Sequence, residues 1–187
     1  MGNNPGKNLI NVITSDHRAI EAAFNELENK SMTPETRGAL VDHVIAELVR
    51  HSVAEEQFMY PAVRKYVSGG DEIADHEIEE HAEAERVMKD LDEMDVTDPR
   101  FEAKLHELMS DINHHVHEEE STLLPNLAAA CSIDELQSLG EKVVAAKMVA
   151  PTRPHPSAPD TPPANLIVDP GAGLVDRLRD AISGRNT

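Results

Sequence analysis

Residues 51–61 read His-Ser-Val-Ala-Glu-Glu-Gln-Phe-Met-Tyr-Pro, and residues 115–125 read His-Val-His-Glu-Glu-Glu-Ser-Thr-Leu-Leu-Pro. In both, a histidine is followed four residues later by a glutamate, a second glutamate comes next, and a proline closes the stretch. Positions i and i+4 share a helix face, so His51/Glu55 and His115/Glu119 can each aim at one point. The faces they occupy are apolar. Leu48 precedes His51 by three and Phe58 follows Glu55 by three; Ile112 precedes His115 by three and Leu123 follows Glu119 by four. The same pairing recurs at His17/Glu21, where Ile20 and Phe24 share the face, and at His81/Glu85.

The pairs are also in register. A shift of 64 residues carries His17 to His81, Glu21 to Glu85, His51 to His115, Glu55 to Glu119, Glu56 to Glu120 and Pro61 to Pro125. The chain therefore reads as a duplicated helix pair, and two such pairs make a roughly two-fold bundle with inward groups converging at its middle.

Outward from these motifs, hydrophobic periodicity predicts four long helices. The first covers 8–29 with Leu9, Ile13, Ile20, Phe24 and Leu27. The second opens at Thr33-Pro34 and runs toward Tyr66, kinked at Pro61. Gly69-Gly70 breaks the chain. A third spans 71–94 with Ile73, Ile78, Met88 and Leu91 inward, and a fourth opens at Asp98-Pro99 and runs to Pro125. Ser132-x-x-Glu135 is a capping box that opens a fifth, shorter helix. The expectation is an all-α, up-down four-helix bundle over 1–128, an added helix packing on it over 129–150, a Pro-rich linker over 151–171 and a small amphipathic helix over 172–187. Seven of the twelve prolines lie between positions 151 and 170, which sets the linker. The terminal helix, with Leu174, Val175, Leu178 and Ile182 beside several arginines, either folds back or stays mobile, or else docks on a partner or an anionic surface.

Composition narrows the function classes. Aromatic residues make up 3% of the chain, so the core must be aliphatic, as in helix-on-helix packing. A net charge of −18 disfavours nucleic-acid phosphates. One cysteine, Cys131, excludes an intrachain disulfide framework and a thiolate metal cluster, and points to reducing cytoplasm. Residues 1–7 are polar and lack a leader-like apolar run, and no stretch has the length of a membrane span.

Carboxylates facing an apolar core demand compensation. Burying one unpaired costs several kcal/mol even after relaxation, against a net domain stability of only about 5–15 kcal/mol. No Lys or Arg shares those faces near them. Two divalent ions would balance four glutamates, and mixed imidazole and carboxylate ligands suit Fe, Mn or Zn over Ca or Mg. The candidate ligands are His17, His51, Glu55, His81, His115 and Glu119. Glu21 and Glu85 are ligands, acceptors that orient a histidine, or solvated. Glu77, four before His81, is a weaker alternative. Glu56 and Glu120, turned off the seam, read as surface groups or partners of a ligand. His43, His106, His114, His117 and His155 fit no convergent set, and His76 is turned off the face. Tyr60 either approaches the mouth of the site or packs at the kink, and packing is the preferred reading.

Asp16-His17-Arg18, His51-x-x-x-Glu55-Glu56 before Tyr60-Pro61, His81-x-x-x-Glu85 and His115-x-x-x-Glu119-Glu120 before Leu124-Pro125 together resemble the hemerythrin-like family with the HHE cation-binding domain. The resemblance covers about residues 8–128. The stretch 150–156, Ala-Pro-Thr-Arg-Pro-His-Pro, looks like the tail of bacterial members. It implies a four-helix bundle with two iron ions in an oxo- or hydroxo-bridged site, bridged by Glu55 and Glu119, with His17, His51, His81 and His115 as imidazole ligands. Oxygen-carrying hemerythrins use five histidines, two of them a turn apart on the third helix; here that turn offers Glu77 or Glu85 beside His81, which argues against reversible oxygen carriage. The ferritin-like signature, Glu-x-x-His, has the opposite order and a shorter step. The expected function is binding of or reaction with O2, peroxide or nitric oxide by a monomer or weak oligomer, with catalase-like or peroxidase-like turnover, or alternatively a metal-responsive sensor without turnover.

Overall fold

A computed structural model describes residues 8–29, 31–158 and 164–183; residues 1–7 and residues 159–163 of the expected linker lie outside the described residues. All the regular structure described is helical: α1 (Leu9–Leu27), α2 (Pro34–Ala54), a π turn (Glu55–Met59), α3 (Tyr60–Tyr66), α4 (Gly70–Glu93), α5 (Phe101–Glu118), a second π turn (Glu119–Leu123), α6 (Leu124–Ala130), α7 (Ile133–Lys147) and α8 (Ala164–Ser183). The rods α1, α2–α3, α4 and α5–α6 form the four-helix bundle, and α7 packs along α1 and α2.

The local signals act through identifiable atoms. Thr33 Oγ1 accepts from Thr36 N at 3.3 Å with Pro34 at the first helical position, and Ser132 Oγ accepts from Glu135 N at 3.2 Å. These bonds satisfy amides the helix itself leaves unpaired. Gly69 sits at φ 71°, where a Cβ would be strained, and so turns α3 into α4. At the fourth rod the expected start is displaced. Asp98 Oδ1 takes Arg100 N at 2.8 Å and Phe101 N bonds Asp98 O at 2.9 Å, so Asp98-Pro99 forms a turn and the regular helix begins at Phe101.

The kinks at the two prolines are π turns. Tyr60 N bonds Glu55 O, and Leu124 N bonds Glu119 O, five residues back in each case. A proline cannot donate to the ladder and its ring crowds the carbonyl four residues earlier, and the wider turn relieves both. Glu55 and Glu119 each open one of these turns.

The core lies in two parts. One cluster gathers Phe24, Val44, Leu48, Met88, Leu105 and Leu108; the other gathers Leu9, Ile13, Met59, Val63, Leu123 and Leu127. Each such side chain contributes roughly 1.5–3 kcal/mol on burial. Between the two runs a belt of buried histidines and glutamates. On α4 the seam is Ala74, Glu77, His81, Ala84, Met88 and Leu91, all buried. Ile73 and Ile78, expected inward, are only half-buried: small Ala74 and Ala84 hold the inner line, and the isoleucines flank it.

The C-terminal segment folds back onto the bundle. Helix α8 begins at Ala164, inside the stretch assigned to the linker, because Ala-Asn-Leu-Ile-Val-Asp after Pro163 is long enough to wind a turn before Pro170. Asp176 and Asp180 on α8 are buried. Thr152 N and Arg153 N both donate to Asp176 Oδ2 at 3.2 Å, Thr152 Oγ1 donates to Asp180 at 2.6 Å, and Arg153 spans Asp180 (2.7 Å) and Asp92 of α4 (3.1 Å). Gly173 permits the contact, since a Cβ there would lie 2.3 Å from Val149 O. Among the described residues no helix is long and apolar enough to cross a membrane.

Candidate metal centre

Each rod delivers its share of the belt. Helix α1 brings His17, the last turn of α2 brings His51 and the π turn after it Glu55; α4 brings Glu77 and His81, and α5 with its π turn brings His115 and Glu119. Glu55 and Glu119 have 0% exposure. His17, His51, Glu55 and Glu119 form one group whose ligand atoms lie within 4.8 Å of one another; Glu55, His81 and His115 form a second, and Glu77, His115 and Glu119 a third. The two central glutamates thus serve both sides. Glu55 Oε2 is 3.1 Å from His51 Nε2 and 3.4 Å from His81 Nε2, while Glu119 reaches His17 Nε2 at 3.3 Å and His115 Nε2 at 3.7 Å.

The outward nitrogens are all engaged. His17 Nδ1 meets Glu120 at 2.8 Å, His81 Nδ1 meets Glu56 at 3.0 Å, His115 Nδ1 meets Glu80 at 3.0 Å, and His51 Nδ1 meets Asp16 at 3.5 Å. These partners obey the same 64-residue shift: Asp16 maps to Glu80 and Glu56 to Glu120. A carboxylate only accepts, so each Nδ1 carries a proton and each Nε2 is the nitrogen turned inward, the one a metal would take in place of any proton there. His81 Nε2 and His115 Nε2 stand 3.1 Å apart. Two such lone pairs approach this closely only around a shared proton or cation. His17 Nε2, both oxygens of Glu55, Glu77 Oε2 and Glu119 Oε2 are buried without a hydrogen-bond partner. Asp176 Oδ1 on α8 is a further such atom, away from the belt, and Glu77 Oε2 lies 3.1 Å from His115 Nδ1. The His17, Glu55 and Glu119 atoms gather at the centre of the belt, where unsatisfied groups are costly, so the residues fit metal ions there.

The electrostatics agree. Burial first, then the charge of Glu119, drives the Glu55 carboxyl well above its ordinary range. Burial opposes the charge of Glu119 too, but His115 and then His17 and His51 hold it below its usual value. Against the cost of burial, Glu119, Glu77 and Glu80 push His115 up to about 10. Burial pulls His51 down to about 4. Without a metal the belt gathers protons on its His115 side, the side that carries the extra carboxylate.

Glu21 and Glu85 are not brought to the belt. Glu21 is exposed beside Arg18 at 3.1 Å, and Glu85 accepts His155 N at 2.7 Å. The reason is direction. The rods alternate, so four residues onward from His51 and His115 points to the same end of the bundle as four residues back from His17 and His81. Those backward positions are Ile13 and Glu77, and Glu77 is in the belt at 3% exposure. Alternation was available as a signal for Glu77. Of the two readings of Tyr60, the approach to the site holds: the π turn swings it inward, fully buried, with its hydroxyl 3.0 Å from His81 Nε2 and 3.2 Å from Glu119 Oε1. Its symmetry mate is Leu124, as that of Glu77 is Ile13, so both departures from the repeat lie on the His81/His115 side. His155, expected in solvent, is half-buried with Nε2 2.9 Å from Asp176. His43, His106 and His117 are exposed.

Alternating helical rods closed around four inward imidazoles and two shared carboxylates define a cation-binding helical bundle. The hemerythrin HHE cation binding domain matches residues 8–127, and the chain belongs to that family. It is 30% identical over 173 residues to a hemerythrin-like protein of Schizosaccharomyces pombe, covering 92% of this chain and 85% of that one. It is 27% identical over 140 residues to a DNA nickase of Nostoc, covering 75% of this chain but 39% of the nickase. The crystal structure of a hemerythrin HHE domain-containing protein of Mycobacterium kansasii superposes with a TM-score of 0.65 at 24% identity, over 75% of this chain and 85% of that one, which is a likeness of fold. Relatives from a yeast as well as bacteria define the family, not a bacterial branch of it.

Proposed function

We propose that the belt holds two iron ions and that the chain binds and reacts with O2, peroxide or nitric oxide in the cytoplasm, with breakdown of peroxide to water and O2 as its turnover. His17 and His51 would hold one ion, His81, His115 and Glu77 the other, with Glu55 and Glu119 between them. One observation carries the reading: two wholly buried carboxylates with unpartnered oxygens, each within reach of imidazoles on both sides.

Iron in such a site supplies electron transfer by moving between its ferrous and ferric states. The chain supplies the rest. Converting two peroxides to two waters and one O2 moves two protons from one peroxide to the other. Tyr60 is placed to donate a hydrogen bond to a peroxide oxygen: burial, then the charges of Glu119 and Glu55, raise its hydroxyl pKa well above the ordinary value, so it keeps its proton and orients the substrate. Glu77 is placed to take up the transferred protons from one peroxide and return them to the other. The apolar clusters on either side keep bulk water from the belt. The paired imidazoles are held in position by Asp16, Glu56, Glu80 and Glu120. Peroxide added to iron-loaded protein should release O2 at half the peroxide consumed; peroxide consumed without O2 would make the activity peroxidase-like, and no consumption would remove turnover altogether.

A second reading, a metal-responsive module, is favoured by one feature. Pro151, Arg153 and His155 line a groove that also contains Glu56 and His81. A shift of His81 on metal loss would therefore meet the docked C-terminal segment. Amide exchange in α8 that differs between iron-loaded and iron-free protein supports this reading, and identical exchange removes it. DNA nicking is not carried over from the Nostoc relative: the chain spans a minor part of it, and a net charge of −18 repels a phosphate backbone.

A further inference from the structure

On the outer wall of α4 and α5 a second set of His–Glu pairs comes together. His76 and Glu80 are four apart on α4, and His114 and Glu118 are four apart on α5. His76 Nε2 lies 3.2 Å from Glu118 and 3.7 Å from Glu80, and His114 Nε2 lies 3.5 Å from Glu118 and 3.9 Å from Glu80. Ligand atoms of His76, Glu80 and Glu118 fall within 4.8 Å of one another. The two histidines are exposed and the two glutamates half-buried, so the set opens to solvent.

The cluster is connected to the belt. The other oxygen of Glu80 accepts from His115 Nδ1. Glu80 and His114 also line the α4–α5 groove, whose floor includes the buried His81 and His115. A cation bound outside is therefore one side chain away from the buried imidazoles.

The internal repeat supplies a control. Asp16 is the counterpart of Glu80, and it likewise holds the Nδ1 of its histidine, His51. Asp16 is also paired with Lys147 at 2.7 Å, and the counterpart of His114 in that half is Arg50. One orienting carboxylate is thus attended by a fixed positive charge. The other, among the described residues, has only imidazoles and Glu118 at its outer oxygen, groups that can ligate a metal ion as a lysine ammonium cannot.

We propose that His76, Glu80, His114 and Glu118 form an exchangeable outer site for a divalent transition-metal ion, and that this site feeds the buried pair through the α4–α5 groove. Imidazole with carboxylate selects Fe2+, Mn2+ or Zn2+ over Ca2+ and Mg2+. Solvent exposure makes the binding weaker than in the belt, as a feeding site requires.

Dialysis of iron-loaded protein against Zn2+, with iron and zinc counted separately in the same sample, tests this. The expected result is one zinc per chain beyond the iron. It is bound at least about tenfold more weakly in the double variant His76→Ala/His114→Ala, a loss of the size that removing supporting groups causes at metal sites. The melting temperature should hold, because both side chains are exposed. Metal-free double variant should also fill with Fe2+ more slowly than the parent. Zinc retained by the double variant, or an unchanged filling rate, overturns the proposal. The feeding role rests on the reading of the buried pair; the iron count tests that reading and the zinc count tests this one, so the two failures are told apart.

Discussion

Glu77 and Glu85 sit at equal distances on either side of His81, and only Glu77 reaches the belt. Two substitutions that look alike should therefore behave differently. Glu77→Gln should weaken binding of one of the two ions by about 10–100-fold, while Glu85→Gln leaves both in place, as read by iron stoichiometry after dialysis against a graded chelator. Equal effects from the two would contradict the assignment. Tyr60→Phe keeps the ring and removes the hydrogen-bond donor: iron content should hold, and peroxide turnover should fall by about 100-fold. Unchanged turnover would return Tyr60 to packing alone. At this scale the histidines and the two central glutamates were legible in the sequence, since a four-residue step on an apolar face has few other meanings when it recurs in register. Glu77 and Tyr60 were harder. The first depends on which way a rod runs, the second on the shape of a turn, and neither is a property of a residue and its neighbours.

Elements were legible where a local bond makes them. Thr33 and Ser132 start helices through their own hydroxyls. The π turns were visible only as prolines, because a kink's geometry is settled by how the flanking rods pack. For α8 the sequence left folding back and mobility both open, because the outcome depends on Asp176 meeting the backbone of Thr152 and Arg153, and Asp180 the Thr152 hydroxyl, across the chain. This docking carries a pH dependence. The hydrogen bond to Asp176 raises the pKa of His155 above its ordinary value, with the charge of Glu85 adding and Lys89 opposing. A raised pKa means that the contribution of His155⁺ is complete below its unfolded pKa, about 6.5, and is lost as pH rises through the folded value. Amide exchange across residues 171–181, corrected for intrinsic rate, should then show weaker protection above that window than below it, and the change should flatten in His155→Gln. Flat protection in the parent chain would contradict the assignment.

Across the whole molecule, two apolar clusters are held apart by a polar belt that neither could tolerate unneutralised. Duplication explains much of this. The shift of 64 residues relates the imidazoles, the shared carboxylates, their outward partners and the prolines of the π turns, so one half predicts the other. Function enters where the halves differ: Glu77 for Ile13, Tyr60 for Leu124, and His114 for Arg50. All three differences fall on the His81/His115 side, so the two ions would be inequivalent and that side the reactive one. The central claim is that the belt exists to hold two iron ions. Anomalous diffraction at the iron edge, from crystals of protein purified in air, tests it most directly. Two peaks should lie in the belt, one against His17 and His51 and one against His81 and His115, with Glu55 and Glu119 between them. A belt without iron, or a single peak there, would contradict it.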